Sequence, residues 1–443
     1  MRYAPAVNRT YRRWLAFAAA KARRLGATVK QAVLTDVDVT EETREADLAE
    51  AGAFTRSAGR MRGGMAKVAQ IRAYLDGSEG GIAPEARAVF GRLWDKMPGD
   101  EPAAIRQVIV EDLGAPPEQL FARWDDQPIA AASLGQVHAA EDAAGAHLAV
   151  KVQYPGVAEA LRADVASRGL LRRVVGADLG ETIGPEALER LRDQLLGELD
   201  YLAEARNLER FAVAYAGDPE IVVPRVVRDR SAARVLTMER LEGMPLPELA
   251  RTGTQDERNR VARTLLRFAI GAPLAHAMLN GDPNPGNYLV LDARAGRVGF
   301  VDFGCVVELP EELAAAERQL WLAMIHRDGE ALRHAAHREG LVNDAPTFDG
   351  AVWREWERTL AGPFLARGEV ELTPADAGKL IDLSSQLLRA RQLDLPAGSL
   401  LLWRQRLGAL SVIASLRPRL DVRRVLAELL VDRHPVPLLD RYP

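Results

Sequence analysis

The stretch MLNGDPNPGNYLV, residues 278–290, sets a lone aspartate, Asp282, among glycine, asparagine and proline between two apolar runs. A reversal of the chain needs about two residues of that kind. The surplus here marks a site built around Asp282. Asn287 stands five residues after Asp282, and VDFG follows at 301–304, about two short strands further on. Two carboxylates, Asp282 and Asp302, and one amide, Asn287, converging from a hairpin suit a magnesium ion held through oxygen, with a hydroxyl or water oriented beside it.

That logic is the one used in phosphoryl transfer of the kinase type. There an aspartate orients the nucleophile, while an asparagine five residues on and the aspartate of D-F-G hold metal. Working outward, Lys151 lies in HLAVKVQYPGV between Val150 and Val152, inside an apolar strand. A lysine there needs an anionic partner. GELDYLAEARN at 197–207, within a helix expected over about 185–214, offers Glu198, Asp200 and Glu204. On one helix Asp200 and Glu204 share a face, whereas Glu198 and Glu204 point about 120° apart. One acid then reaches Lys151 while the other serves a different cation. PIAAASLGQVHAA at 128–140 precedes Lys151 at the distance of a phosphate loop, with Ala130, Ala131, Ala132 and Ser133 in place of glycines. Backbone N–H groups can still face phosphates there, although methyl groups hold the backbone further off than glycine does. MRGGMAKVAQIRAYL at 61–75 places Lys67 and Gln70 three apart on one helix face. Physics alone reads these two as solvated.

The chain of 443 residues is long enough for a large bilobal unit. Its net charge of −4 argues against nucleic acid as a partner. The lone cysteine, Cys305, excludes an internal disulfide and a cysteine-rich zinc site, and fits a reducing cytoplasm. No apolar run reaches the roughly 18–20 residues that span a bilayer. Residues 1–35 carry eight Lys or Arg and no acid, with Tyr11, Trp14, Leu15, Ala18, Ala22 and Leu25 at helical spacing. That basic amphipathic helix packs on its own domain or lies on an anionic membrane surface. Three regions follow from the pattern: a helical extension (1–125), a mixed lobe with short β-runs and one long helix (126–245), and a helical lobe (246–443) interrupted by the strand pair NYLVLD and VGFVDF. Oligomeric state is not legible.

Taken in order, PIAAASLGQVH, AVKVQYPGV, ELDYLAEARN, VLTMERLEG, GDPNPGN and DFG resemble the UbiB/AarF-type atypical kinases, the ancient conserved kinase-like family of coenzyme Q biosynthesis. The resemblance implies an α+β, bilobal protein-kinase-like fold with an N-terminal helical extension. It implies binding of ATP or ADP with Mg²⁺, and ATPase or small-molecule phosphotransfer linked to isoprenoid-quinone or lipid metabolism. Residue by residue, Lys151 resembles the family's ATP-site lysine and Glu204 its ion-pair partner. Glu198 and Asp200 match the E-x-D motif. Lys67 and Gln70 match the ends of a K-x-G-Q motif that folds over the nucleotide and obstructs a protein substrate. Asp282 resembles the catalytic aspartate, and Asn287 and Asp302 the metal ligands. Met238 matches a gatekeeper, with backbone near Glu239 and Leu241 facing adenine. The chain departs from the pattern at Ala69 (glycine in K-x-G-Q) and at Asn280 and Asn284 (histidines in the family loop). Asparagine cannot titrate near neutrality. Two other readings are an aminoglycoside- or choline-kinase-like phosphotransferase, whose H-G-D-x-x-x-x-N loop is close to NGDPNPGN, and a nucleotide-binding pseudokinase scaffold.

Overall fold

A computed structural model describes residues 101–132, 134–166, 185–326, 328–338, 350–389 and 400–431. The basic segment 1–35, the rest of the expected extension up to residue 100, Lys67, Gln70 and Ser133 lie outside the described residues.

Helix α1 (Pro102–Leu113) opens on a proline, which has no N–H to leave unpaired, and closes on Gly114 in the left-handed conformation. After the single turn α2 (Pro117–Leu120) come β1 (Arg123–Ala131), β2 (Gly135–Glu141) and β3 (His147–Gln153), paired antiparallel in that order. Strand β1 corrects two expectations, because the helical region stops before residue 123 and Ala130 and Ala131 lie in a strand, with Ala132 in the hairpin connection that follows. Ala130 pairs with Val137 and Ala131 with Gln136. The strand was hard to see because β1 has no fully buried position, so apolar alternation is faint. Strand β3 reads as a continuous apolar run because both its faces are covered: Leu148, Val150 and Val152 on one, Lys151 and Gln153 on the other.

After α3 (Val157–Val165), the single helix expected over 185–214 is instead two. Helix α4 (Pro185–Gly197) ends at a glycine, and α5 (Tyr201–Ala214) restarts with Asp200 as its N-cap, the carboxylate accepting the Ala203 N–H. Gly197 weakens the helix and Asp200 offers it a new start. Glu198 therefore sits in the break, and the helical-face argument relating it to Glu204 fails.

Strand β4 (Ile221–Val222) precedes β5 (Val235–Glu239), which pairs with the far side of β3 and completes a sheet of order β1-β2-β3-β5. Next come β6 (Met244–Pro245), α6 (Leu246–Thr252) and the 22-residue α7 (Gln255–His276), which opens with a Thr254–Glu257 capping box. Strands β7 (Met278–Asn280), β8 (Tyr288–Asp292), β9 (Arg297–Phe300) and β10 (Val306–Glu308) form two small sheets, one of order β4-β9-β8-β6 and the other pairing β7 with β10. The remainder is helical: α8 (Glu311–His326), α9 (Gly329–Arg338), α10 (Gly350–Leu365), α11 (Pro374–Arg389), α12 (Leu400–Ser415) and α13 (Val422–Val431). The short pair β11 (Val370–Glu371) and β12 (Arg419–Leu420) joins them. Helices α12 and α13 pack on α7. One contiguous core runs from Ile105 to Leu430. The architecture is α+β, a sheet-rich part followed by a helical part.

Candidate functional site

Two loops lie side by side because their flanking strands pair. Loop 281–287 joins β7 to β8, and loop 301–305 joins β9 to β10. β7 pairs with β10, and β8 with β9. Backbone bonds stitch the loops together: Gly281 N–H donates to Cys305 O at 2.7 Å, and Val301 N–H to Asn287 O at 3.1 Å. Asn280 adds a side-chain brace, its amide N–H donating to Asp302 O at 2.7 Å while its oxygen accepts the Asp282 N–H at 3.2 Å. Asn284 accepts the Gly286 N–H and shapes the 3-10 turn Pro285–Asn287. The two asparagines that stand where the family has histidines are thus hydrogen-bonded parts of the loop.

Lys151 is surrounded by acids. Its ammonium donates to Glu204 Oε1 at 2.8 Å, Glu204 Oε2 at 2.9 Å and Asp302 Oδ2 at 3.2 Å, and stands 5.0 Å from the centre of the Tyr201 ring. Glu198 closes the group. A Cβ built on Gly304 would lie 3.4 Å from Asp302 Oδ1, 3.5 Å from Glu204 Oε2 and 3.8 Å from Glu198 Cγ, so the three acids meet around Gly304. Burial opposes the Lys151 charge, but Asp302, Glu204 and Tyr201 outweigh it and hold its pKa well above the ordinary value. Burial pushes the Glu204 carboxyl up to about 7, with Asp302 and Glu198 adding to it against the pull of Lys151. Phe303 is fully buried, its ring centre 4.7 Å from Phe211 of α5, and Asn207 donates to its carbonyl. That anchor leaves Asp302 turned toward Lys151.

Asp282 is buried and has a partner that the sequence reading missed. Arg404 of α12 donates to its Oδ1 at 2.8 Å. Asn287 donates to Asp282 O at 3.0 Å and lies 3.4 Å from Oδ2. One signal for Arg404 was available. LLLWRQRLGALSVIAS is a strongly apolar helix that holds two arginines, and arginines within an apolar helix must be paired. Which acids they pair with could not be read.

The amide oxygen of Asn287 and the carboxylate of Asp302 are hard donors on adjacent loops. Among the described residues no group of three or more His, Cys, Asp or Glu could hold a metal ion. As hard oxygen donors, Asn287 and Asp302 fit Mg²⁺, which keeps waters and substrate phosphates in its shell.

The remaining expected residues divide. Glu198 joins the Lys151 group, whereas Asp200 is half-exposed and engaged as a helix cap. Ala130 and Ala131 end β1. The Ala132 N–H is donated to Gly135 O at 2.8 Å within the hairpin. Met238 is buried on β5. Beyond it the Glu239 N–H donates to Arg225 O and the Arg240 N–H to His147 O, which fixes the course of the chain toward Leu241.

A model of the ABC1 atypical kinase-like domain matches residues 92–336, more than half of the chain. This chain belongs to that family. Among its relatives in the ABC1 family, the rat protein Atypical kinase COQ8B, mitochondrial, is 30% identical over 82% of this chain and 68% of its own length. The baker's yeast protein Atypical kinase COQ8, mitochondrial, is 28% identical over 62% of this chain, which spans 54% of it. A Mycobacterium tuberculosis protein, Rv3197, solved in complex with erythromycin, superposes with a TM-score of 0.59 at 28% identity, covering 75% of this chain and 83% of that one. The ABC1 chain described here thus has the α+β kinase-like fold. No helix among its described residues is long and apolar enough to cross a membrane.

Proposed function

We propose that this chain binds ATP or ADP with Mg²⁺ and acts on the terminal phosphoryl group, as an ATPase or a small-molecule phosphotransferase linked to isoprenoid-quinone or lipid metabolism. The observation that carries the reading is the buried Lys151 shared by Glu204 and Asp302, with Asp282 and Asn287 on the adjoining loop. Lys151 would hold the α- and β-phosphates, exchanging its bond to Asp302 for phosphate oxygen while Glu204 keeps the ammonium in place. Asp282 would orient the attacking water or hydroxyl, since phosphoryl transfer asks the protein mainly for position and charge. Asn287 and Asp302 would hold Mg²⁺, which when bound neutralises charge on the transferred group. Met238, Glu239 and Leu241 would border the base, and Lys67, Gln70 and Glu198 would close over the site. Residues 1–35 would add a peripheral contact with an anionic membrane.

Phosphate release from ATP with and without Mg²⁺ tests the enzyme. Wild type should turn over and Asp302→Asn should not, and equal release by the two would overturn the reading. Stabilisation by ATP and ADP in a thermal-shift titration tests binding, because a ligand selective for the native state must stabilise it. Binding without turnover would make the chain a nucleotide-binding scaffold.

A further inference from the structure

Helix α12 lies outside the stretch that matches the family model, yet it forms a wall of the site. Three consecutive contacts seat it. Leu402 is fully buried with Leu279 of β7 and Leu309 just after β10, the strand pair that brackets both loops. Arg404 donates to Asp282 Oδ1 at 2.8 Å and approaches Cys305 Sγ, next to the D-F-G turn, at 3.8 Å. Gly408, one turn on and on the same face, lies so close to the loop that a Cβ there would be 2.3 Å from Pro283 Cγ.

We propose that Arg404 is a positioning residue for Asp282 and that Gly408 sets the approach of α12 that makes this possible. The inference rests on the reading of Asp282 as the residue that orients the nucleophile. The physical reason is directional. Arg404 ties down Oδ1, while the Asn287 amide restrains the loop from the other side. The Asn287 amide also lies 3.4 Å from Oδ2, so both carboxylate oxygens are oriented. A shift of about 1 Å in such a group can cost on the order of a hundredfold in rate.

The test compares Mg²⁺-ATP turnover of full-length variants. Arg404→Met is expected to lower kcat by about ten- to a hundredfold with KM for ATP within about threefold, since nothing that holds the nucleotide is touched. Millimolar methylguanidinium should restore part of that kcat in Arg404→Ala, which a merely structural defect would not show. Arg404→Lys should fall between, keeping the charge and losing the fork. Gly408→Ala should lower kcat with Arg404 intact. Arg406→Met is the control. Arg406, two residues on, is buried against Glu317 and Trp403, so its loss should lower the melting temperature and leave kcat per folded molecule unchanged. If Arg404→Met does not fold, Arg404→Lys and Gly408→Ala carry the test. Wild-type kcat in both, or an Arg404→Met kcat within twofold of wild type, overturns the proposal. If wild type and Asp302→Asn release phosphate equally, the functional reading has failed instead.

Discussion

At the residue scale the decisive feature is one buried ammonium among Glu198, Glu204 and Asp302. Burying charge is costly unless it is paired, and removing one partner is worse than never having the pair. Lys151→Met should therefore destabilise the fold by about 3 kcal/mol near neutral pH, and the loss should depend on pH. Glu204, already raised to about 7 beside Lys151, would rise further without it. A carboxyl whose folded pKa lies above its unfolded one favours the fold at low pH and loses that advantage as pH rises. Melting temperatures of the variant and wild type should thus lie close at pH 5 and diverge by pH 8. A constant gap would show that the three acids are not coupled. The need of Lys151 for an acid was legible, because an apolar strand leaves a lysine no water. That Glu198 also converges on Gly304 was not legible, because three groups from different elements meet there.

At the element scale, His138 on β2 shows how the hairpin is tuned. Its Nδ1–H donates to Asp125 O at 2.8 Å, so its Nε2 accepts from the Gln136 amide at 2.9 Å, and the ring stacks on Trp124 at 4.6 Å. Burial lowers its pKa below the usual 6.5. The unfolded chain then takes up a proton that the native ring resists, and stability drains as pH falls below about 6.5. His138→Gln should flatten the melting-temperature profile between pH 7 and 5, and an unchanged slope would remove His138 from the account. The glycine of SLGQVH has a separate task. A Cβ on Gly135 would lie 2.2 Å from Val152 O and 2.9 Å from the Tyr201 hydroxyl. Gly135→Ala should cost about 2 kcal/mol or more, read by denaturant unfolding, because β2 must move off β3 or Tyr201 must leave Lys151. Strands β2, β3 and β5 were visible as apolar runs. Strand β1 and the break before α5 were hidden, since an exposed edge strand has little apolar pattern and a glycine within a helical composition does not reveal which side the cap takes.

At the scale of the whole molecule, the helical part completes the site. Ending the chain after residue 398 would remove α12 and α13, uncover the face of α7 they pack on and leave Asp282 without Arg404. Such a chain should lose its cooperative thermal transition and elute as aggregate in size exclusion, and a sharp transition with monomeric elution would mean that α12 is an accessory. By itself, the sequence determined the kinase-like class, the two loops and most of the residues set in them. These are local patterns of turn residues, spacing and apolar runs, each carried within a few tens of residues. Only the tertiary structure decided that Asp200 caps a helix, that Ala132 closes a hairpin, and that Arg404, 122 residues from Asp282, is its partner. Pairings of buried charges depend on which elements pack together, and packing is set by the whole core, not by any one stretch of chain.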